Sequence, residues 1–250
     1  LRESRIPLRK GGKDLAEDKI LRLKGGLIVS CQADKDSPLY GPQYMSAMAK
    51  AAKIGGAVGI RANGPEDIKA IREAVDLVII GIYKIQVEDY PVYITPTFES
   101  ARAVAEAGAD IIACDATLRE RPVPFRDLAK MIHEELGLKV MADISTREEG
   151  LRAVEDGADL IATTLSGYTP YSPRRKGPDI KLISELAREV DLPIIGEGRF
   201  RYPWQVRRAI REGAWAVVVG NAITNPISIT RWFCESLKID NEKSEGGSYG

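Results

Sequence analysis

The sequence predicts an α/β fold, a single-domain (β/α)8 TIM barrel, on three observations. Eight short apolar runs recur about every 27 residues, the length of one strand plus one crossover helix. Each run is apolar on both faces, as befits parallel strands covered by helices on one side and a core on the other. A phrase then repeats at AEAGADIIA (105–113), VEDGADLIA (154–162) and IREGAWAVV (210–218): charged helix end, glycine in a left-handed cap, small residue, strand. Such repetition marks equivalent αβ corners. A doubly wound open sheet uses the same units, but eight evenly spaced units and no GxGxxG after the first strand favour the barrel.

In chain order, residues 1–13 read as an irregular extension and Asp14 to Lys24 as a helix with Asp14 and Glu17 as its capping box. The expected strands are LIVSC (27–31), AVGI (57–60), LVIIGI (77–82), DIIAC (110–114), KVMAD (139–143), LIATT (160–164), PIIGE (193–197) and AVVVG (216–220). Helix starts are signalled by Pro42 and Pro65, by an S-x-x-E box of Ser145 and Glu148, and by Pro226 after Asn225. The barrel is expected to occupy 14–238 and a flexible, polar C-terminal tail 239–250.

The 36 Lys plus Arg balance 36 Asp plus Glu, so the excess basic charge that holds a nucleic acid or an anionic membrane is missing. No uncharged apolar run approaches the roughly 18 residues of a spanning helix, which points to a soluble chain with no membrane partner. Its opening, LRESRIPLRKGGKDLAEDK, lacks the apolar centre of a secretory signal. Cys31, Cys114 and Cys234 form no Cys-x-x-Cys pair; they suit a reduced, cytoplasmic protein and read as buried core. The lone histidine, His133, falls within a helix and reads as a surface or packing residue, and one histidine builds no histidine-rich metal site. Trp204, Trp215 and Trp232 lie in or beside the last helices, where packing or a subunit interface is expected.

In a barrel the chemistry sits where strands end and βα loops begin. Those positions carry Gln32, Arg61, Lys84, Asp115, Asp143, Thr163, Thr164 and Glu197. A set of charges on one rim above a dry interior is stronger than its members. Singly, each has a plainer alternative: Asp115 as a helix cap, Arg61 and Glu197 as a structural ion pair, Lys84 as a solvated side chain. The glycine-bearing turns GEGRF (196–200) and VVVGNAIT (217–224) suit a phosphate held by backbone N–H groups, with Gly198, Arg199, Gly220 and Asn221 as contacts. Gly220 would otherwise close a tight turn. The long loop GYTPYSPRRKGPD (167–179) is a candidate lid, or else a basic solvated loop.

The phrases GGLIVSCQA (25–33), GIRANG (59–64), GIYK (81–84), ITPTF (94–98), ACDAT (113–117), MADIST (141–146), ATTLSGYTPYS (162–172), GEGR (196–199) and VVVGNAIT (217–224) resemble the N-acetylmannosamine-6-phosphate 2-epimerase family, in order and at every strand end. The resemblance implies a (β/α)8 barrel, no metal or organic cofactor, a homodimer, and interconversion of N-acetylmannosamine 6-phosphate with N-acetylglucosamine 6-phosphate in sialic acid breakdown. It assigns the acid–base lysine to Lys84 and a substrate-positioning glutamate to Glu197, with Gln32, Arg61 and Asp143 as further polar contacts. The family commonly reads AITRP where this chain reads AITNP, so Asn225 stands in place of an arginine expected on the phosphate side. Epimerisation at C2 needs a base beside the carbonyl, and a lysine serves near neutrality only if burial or cations depress its pKa from about 10.4. Arg61 would lower it and Asp143 and Glu197 would raise it, so sequence leaves the direction open. A Schiff-base aldolase using Lys84 as nucleophile, or an inactive sugar-phosphate-binding barrel, fits the bare pattern as well.

Overall fold

A computed structural model of the chain describes residues 18–244. The extension 1–13, the Asp14 and Glu17 capping box and residues 245–250 lie outside the described residues. Eight parallel strands close a barrel in sequence order: β1 (Leu27–Cys31), β2 (Gly59–Asn63), β3 (Val78–Ile82), β4 (Ile111–Asp115), β5 (Lys139–Asp143), β6 (Leu160–Ala162), β7 (Ile194–Glu197) and β8 (Ala216–Val219). The helices are α1 (Lys19–Arg22), α2 (Pro42–Ile54), α3 (Pro65–Ala74), α4 (Phe98–Glu106), α5 (Phe125–Met131), α6 (Arg147–Glu155), α7 (Ile180–Glu189), α8 (Pro203–Arg211), α9 (Asn221–Thr224) and α10 (Pro226–Ser244).

Strand alternation splits the core in two. Ile28, Ile80, Ile111, Met141, Leu160, Ile195 and Val218 fill the barrel with Leu23, while Val29, Ile60, Ile79, Ile112, Val140, Ile161 and Val217 pack outward against the helices. Each such aliphatic side chain contributes about 1.5–3 kcal/mol when fully buried. The repeated corners form as expected: Gly108, Gly157 and Gly213 take φ of 104°, 95° and 108°, a region closed to residues with a Cβ.

Several expectations shift. The second strand is Gly59–Asn63 rather than 57–60, because Arg61 is an interior strand residue and not the end of an apolar run. The sixth stops at Ala162; the Thr163 hydroxyl takes over the pairing, accepting from the Glu197 N–H at 3.0 Å and donating to the Glu197 carbonyl at 2.9 Å. The first helix is one turn capped by Asp18, whose carboxylate accepts from the Ile20 N–H at 3.0 Å. The box on α6 lies one residue on, with Thr146 and Glu149 bonding reciprocally, and Glu149 also takes the Ser145 N–H and hydroxyl at 2.7 Å. The expected helix around His133 ends in a π turn over Ile132–Leu136, where His133 Nε2 meets Asp159 at 2.7 Å. The last helix reaches Ser244, into the segment expected as tail. Cys31 and Cys114 are buried, but Cys234 is exposed on α10 rather than in the core.

Candidate active site

The inward parity that fills the barrel with aliphatics also delivers the rim residues. Gln32, Asp115, Asp143, Thr164 and Glu197 each lie an even number of residues beyond an inward-facing neighbour on their own strand, and Arg61 joins them through its bonds to Asp143 and Glu197. Arg61 is 1% exposed and sits among acids drawn from two other strands. Its Nη1 donates to Asp143 Oδ1 at 3.0 Å and to Glu197 Oε2 at 2.8 Å, and its Nη2 donates to Asp143 Oδ2 at 2.5 Å. The Thr164 hydroxyl donates to Asp143 Oδ1 at 2.6 Å. Asp143, with no exposed surface, therefore has both oxygens engaged, whereas Glu197 offers one oxygen to Arg61 and keeps 12% of its side chain accessible.

Two carboxylates share one guanidinium, and the charges answer accordingly. Burial opposes the positive charge on Arg61, but Asp143 and Glu197 outweigh it and hold the guanidinium firmly protonated. The Glu197 carboxyl is raised, first by burial and further by Asp143, against the pull of Arg61. Lys84 lines the same cleft, its backbone N–H held by Asn63 Oδ1 at 2.8 Å and its position pinned by a bridge to Ile94. The amine is open to the cleft, yet the surrounding walls remove enough water to lower its pKa; Arg61 adds to that, and Glu197, Asp34 and Asp143 oppose it. The direction left open by sequence is thus downward. The Glu197 carboxyl and the Lys84 amine are shifted in opposite directions, each toward its neutral form.

The cleft holds about 1020 Å3 and runs from Lys84 and Gln32 to the turns after β7 and β8. Gln32 donates from Nε2 to Ser30 at 2.8 Å, leaving its buried Oε1 without a partner, as is Arg61 Nε. Gly198, Arg199, Gly220 and Asn221 all border it. Gly198 and Arg199 take φ of 105° and 57°, two successive residues in the left-handed region that turn the chain sharply at the mouth of the cleft. A Cβ at Gly220 would lie 3.3 Å from that of Ser30, a tight approach that would push the Ser30 side chain back by a few tenths of an ångström. The Arg199 guanidinium turns into the 167–179 loop: Nε donates to the Gly177 carbonyl at 3.0 Å and the group lies 4.8 Å from the Tyr168 ring centre. Within that loop Thr169 bonds Ser145 and Ser172, and Ser166 bonds Asp179 at 2.8 Å.

Asp115 takes no part in the cleft. It is neither exposed nor a helix cap; it accepts from the Thr117 N–H and hydroxyl and from Arg119 and Arg121, organising the loop after β4. Burial, with Asp67 nearby, pushes the Cys31 thiol up to about 12, and burial also raises Cys114, so neither serves as a nucleophile. Among the described residues no group of three or more His, Cys, Asp or Glu is arranged to hold a metal ion. Thr164, expected at the rim, lines the cleft, whereas sequence reading passed over Asn63, which lies two residues beyond Arg61 on the same strand. It also passed over Lys176, Arg201, Arg231 and Trp232 on the far wall, which only closure of the chain brings together.

Fold and rim together define a (β/α)8 barrel with Lys84, Glu197 and Gln32 lining one cleft at the ends of its strands. The family described as "Putative N-acetylmannosamine-6-phosphate epimerase" matches residues 45–239, and the chain belongs to it. It is 54% identical over 224 residues to the "Putative N-acetylmannosamine-6-phosphate 2-epimerase" of Caldanaerobacter subterraneus subsp. tengcongensis, covering 88% of this chain and 94% of that one. The solved N-acetylmannosamine-6-phosphate 2-epimerase from Clostridium perfringens superposes with a TM-score of 0.86 at 44% identity, covering 90% of this chain and 99% of that one. Thiamine phosphate pyrophosphorylase from Pyrococcus furiosus, at 17% identity and a TM-score of 0.59 over 85% of this chain and 92% of that one, shares the fold alone. No described helix is long and apolar enough to cross a membrane.

Proposed function

We propose that this protein is a metal-independent 2-epimerase that interconverts N-acetylmannosamine 6-phosphate and N-acetylglucosamine 6-phosphate in the cytoplasm, in sialic acid and amino-sugar breakdown. The observation that carries the reading is that, in a chain of this family, the Lys84 amine and the Glu197 carboxyl line one cleft at the ends of β3 and β7. In the opened sugar, neutral Lys84 takes the proton from C2, the C–H electron pair moves into the bond to C1, and the aldehyde oxygen takes the charge. Once the enolate has turned about its C2–C3 bond to present its other face, Lys84 returns the proton there. Arg61, 1% exposed and outside the lining of the cleft, acts from beneath it by holding Glu197 and by lowering the Lys84 pKa, and Gln32, whose Oε1 is unpartnered, orients the sugar. Glu197 holds the N-acetyl group through the oxygen it does not give to Arg61. Were a second acid to serve the other face it would be Glu197, since Asp143 is sealed beneath Arg61 and acts by positioning it.

The phosphate end lies against the turns carrying Gly198, Arg199, Gly220 and Asn221, through backbone N–H groups; the Arg199 side chain is engaged by the loop over the cleft. We further propose a homodimer. Phe233 and Leu237 on α10 are 72% and 71% exposed, an apolar face suited to a second copy. Proton NMR of the purified protein with N-acetylmannosamine 6-phosphate is expected to show the second epimer growing in, with or without a chelator present. Its failure to appear would overturn the reading.

A further inference from the structure

The wall of the cleft beyond the glycine turns is cationic and unbalanced. Lys176, Arg199, Arg201 and Arg231 all line it, and none enters an ion pair with a described residue. Neighbouring Arg175, by contrast, is paired with Asp179 at 2.8 Å. The acids that border the same cavity, Asp34 and Asp36, come from the loop after β1, and Glu197 is paired with Arg61. Unpaired cations gathered in a concavity repel one another, so their collection costs stability unless an anion is taken up between them.

The geometry of one of them is set by a tryptophan. Ile227, Ser228 and Arg231 line the cleft from a single face of α10, at the spacing of one helical turn, and Trp232 follows. The guanidinium of Arg201, from the loop after β7, lies 4.1 Å from the Trp232 ring centre. That stacking holds Arg201 beside the first turns of α10, on the side of the cavity where Gly220, Asn221 and Thr224 also lie. Asn225, in the same wall, is neutral, and its carboxamide oxygen is spent on the Ser228 N–H at 3.0 Å. The backbone turns therefore supply directional donors but little full charge. The arginines above them supply charge.

We propose that Arg201 and Arg231 form the side-chain half of an anion subsite that takes the phosphate monoester end of the substrate, with Trp232 as the plate that positions Arg201. The assignment rests on the epimerase reading for the identity of the sugar, but the subsite itself is defined by its chemistry, a dianionic phosphate. It makes the final helix a part of the substrate site, and it places specificity for the phosphorylated sugar on residues remote from the proton transfer.

Arg201→Ala, Arg231→Ala and the double variant of the full chain test this, with inorganic phosphate as the probe and the epimerisation assay as the second readout. Each single variant is expected to weaken phosphate binding, and to raise KM for N-acetylmannosamine 6-phosphate, roughly three- to tenfold, the range for a partly solvated charge-assisted contact. Turnover at saturation should hold, the loss should be larger in the double variant, and Arg231→Lys should recover part of it. The preference for the phosphorylated over the unphosphorylated sugar should shrink in parallel. A double variant with wild-type phosphate affinity and wild-type KM overturns the subsite. Should the wild type yield no second epimer, the function proposed above fails; the phosphate titration then still decides the subsite on its own.

Discussion

Asp115 and Asp143 are register partners on adjacent strands, both sealed from solvent, both last in their strand and both gripped by arginine, yet only Asp143 is tied to residues that line the cleft, directly to Thr164 and through Arg61 to Glu197. The difference lies in where the cation comes from. Arg119 and Arg121 are four and six residues beyond Asp115, so that acid organises its own loop. Arg61 reaches Asp143 from β2 across the barrel and is shared with Glu197 from β7, so that acid sets the floor of a site built from three strands. An identical strand-end aspartate becomes a strut or a floor according to the sequence distance of its partner.

The sharpest way to break the comparison is to remove the cations. Arg61→Met strands two buried carboxylates, and unfolding measurements should show a loss of about 3–5 kcal/mol, with turnover abolished. Arg119→Ala leaves Asp115 paired with Arg121 and Thr117, and should cost about 1–3 kcal/mol while kcat/KM stays within a few-fold of wild type. Equal loss of activity in both variants would erase the distinction. Next in size, Glu197→Gln should lower turnover about 100-fold or more, as loss of an acid–base or substrate-holding carboxyl does. Its fold should persist, since an amide can still meet Arg61.

That variant also sharpens the pH behaviour. Because the folded state holds the Glu197 proton more tightly than the unfolded chain, this group's contribution to stability falls as pH rises from about 4.3 toward its raised pKa. The fall should be missing in Glu197→Gln. Lys84 moves the other way: its lowered pKa makes the free base available earlier, so kcat/KM should climb with pH through a midpoint below the ordinary lysine value of about 10.4. A midpoint at or above that value would count against Lys84 as the base. The smallest effects separate the hydroxyls. Thr164→Val and Thr117→Val each remove one hydrogen bond to an aspartate and should cost about 1 kcal/mol, but only the former should reduce turnover.

The same contrast explains what the amino-acid order made legible. Strand positions and αβ corners were readable because they depend on local apolar runs and on glycines such as Gly108, Gly157 and Gly213. The rim residues were readable because strand parity is local too. Arg61 misled the placement of β2, since a charge normally ends an apolar run, and its compensation lies 82 and 136 residues away at Asp143 and Glu197. The direction of the Lys84 shift depended on how deeply the cleft encloses the amine, which only barrel closure decides. Arg199 was expected against phosphate, but its side chain is taken up by Gly177 and Tyr168, partners supplied by a loop 22 and 31 residues earlier.

Exchange with solvent deuterium reads directly the proposed transfer of the C2 proton by the Lys84 amine. In the wild type, C2 of N-acetylmannosamine 6-phosphate should take up deuterium as the second epimer forms; in Lys84→Ala that uptake should vanish while inorganic phosphate still binds. Deuterium incorporation at a near wild-type rate in Lys84→Ala would contradict the account.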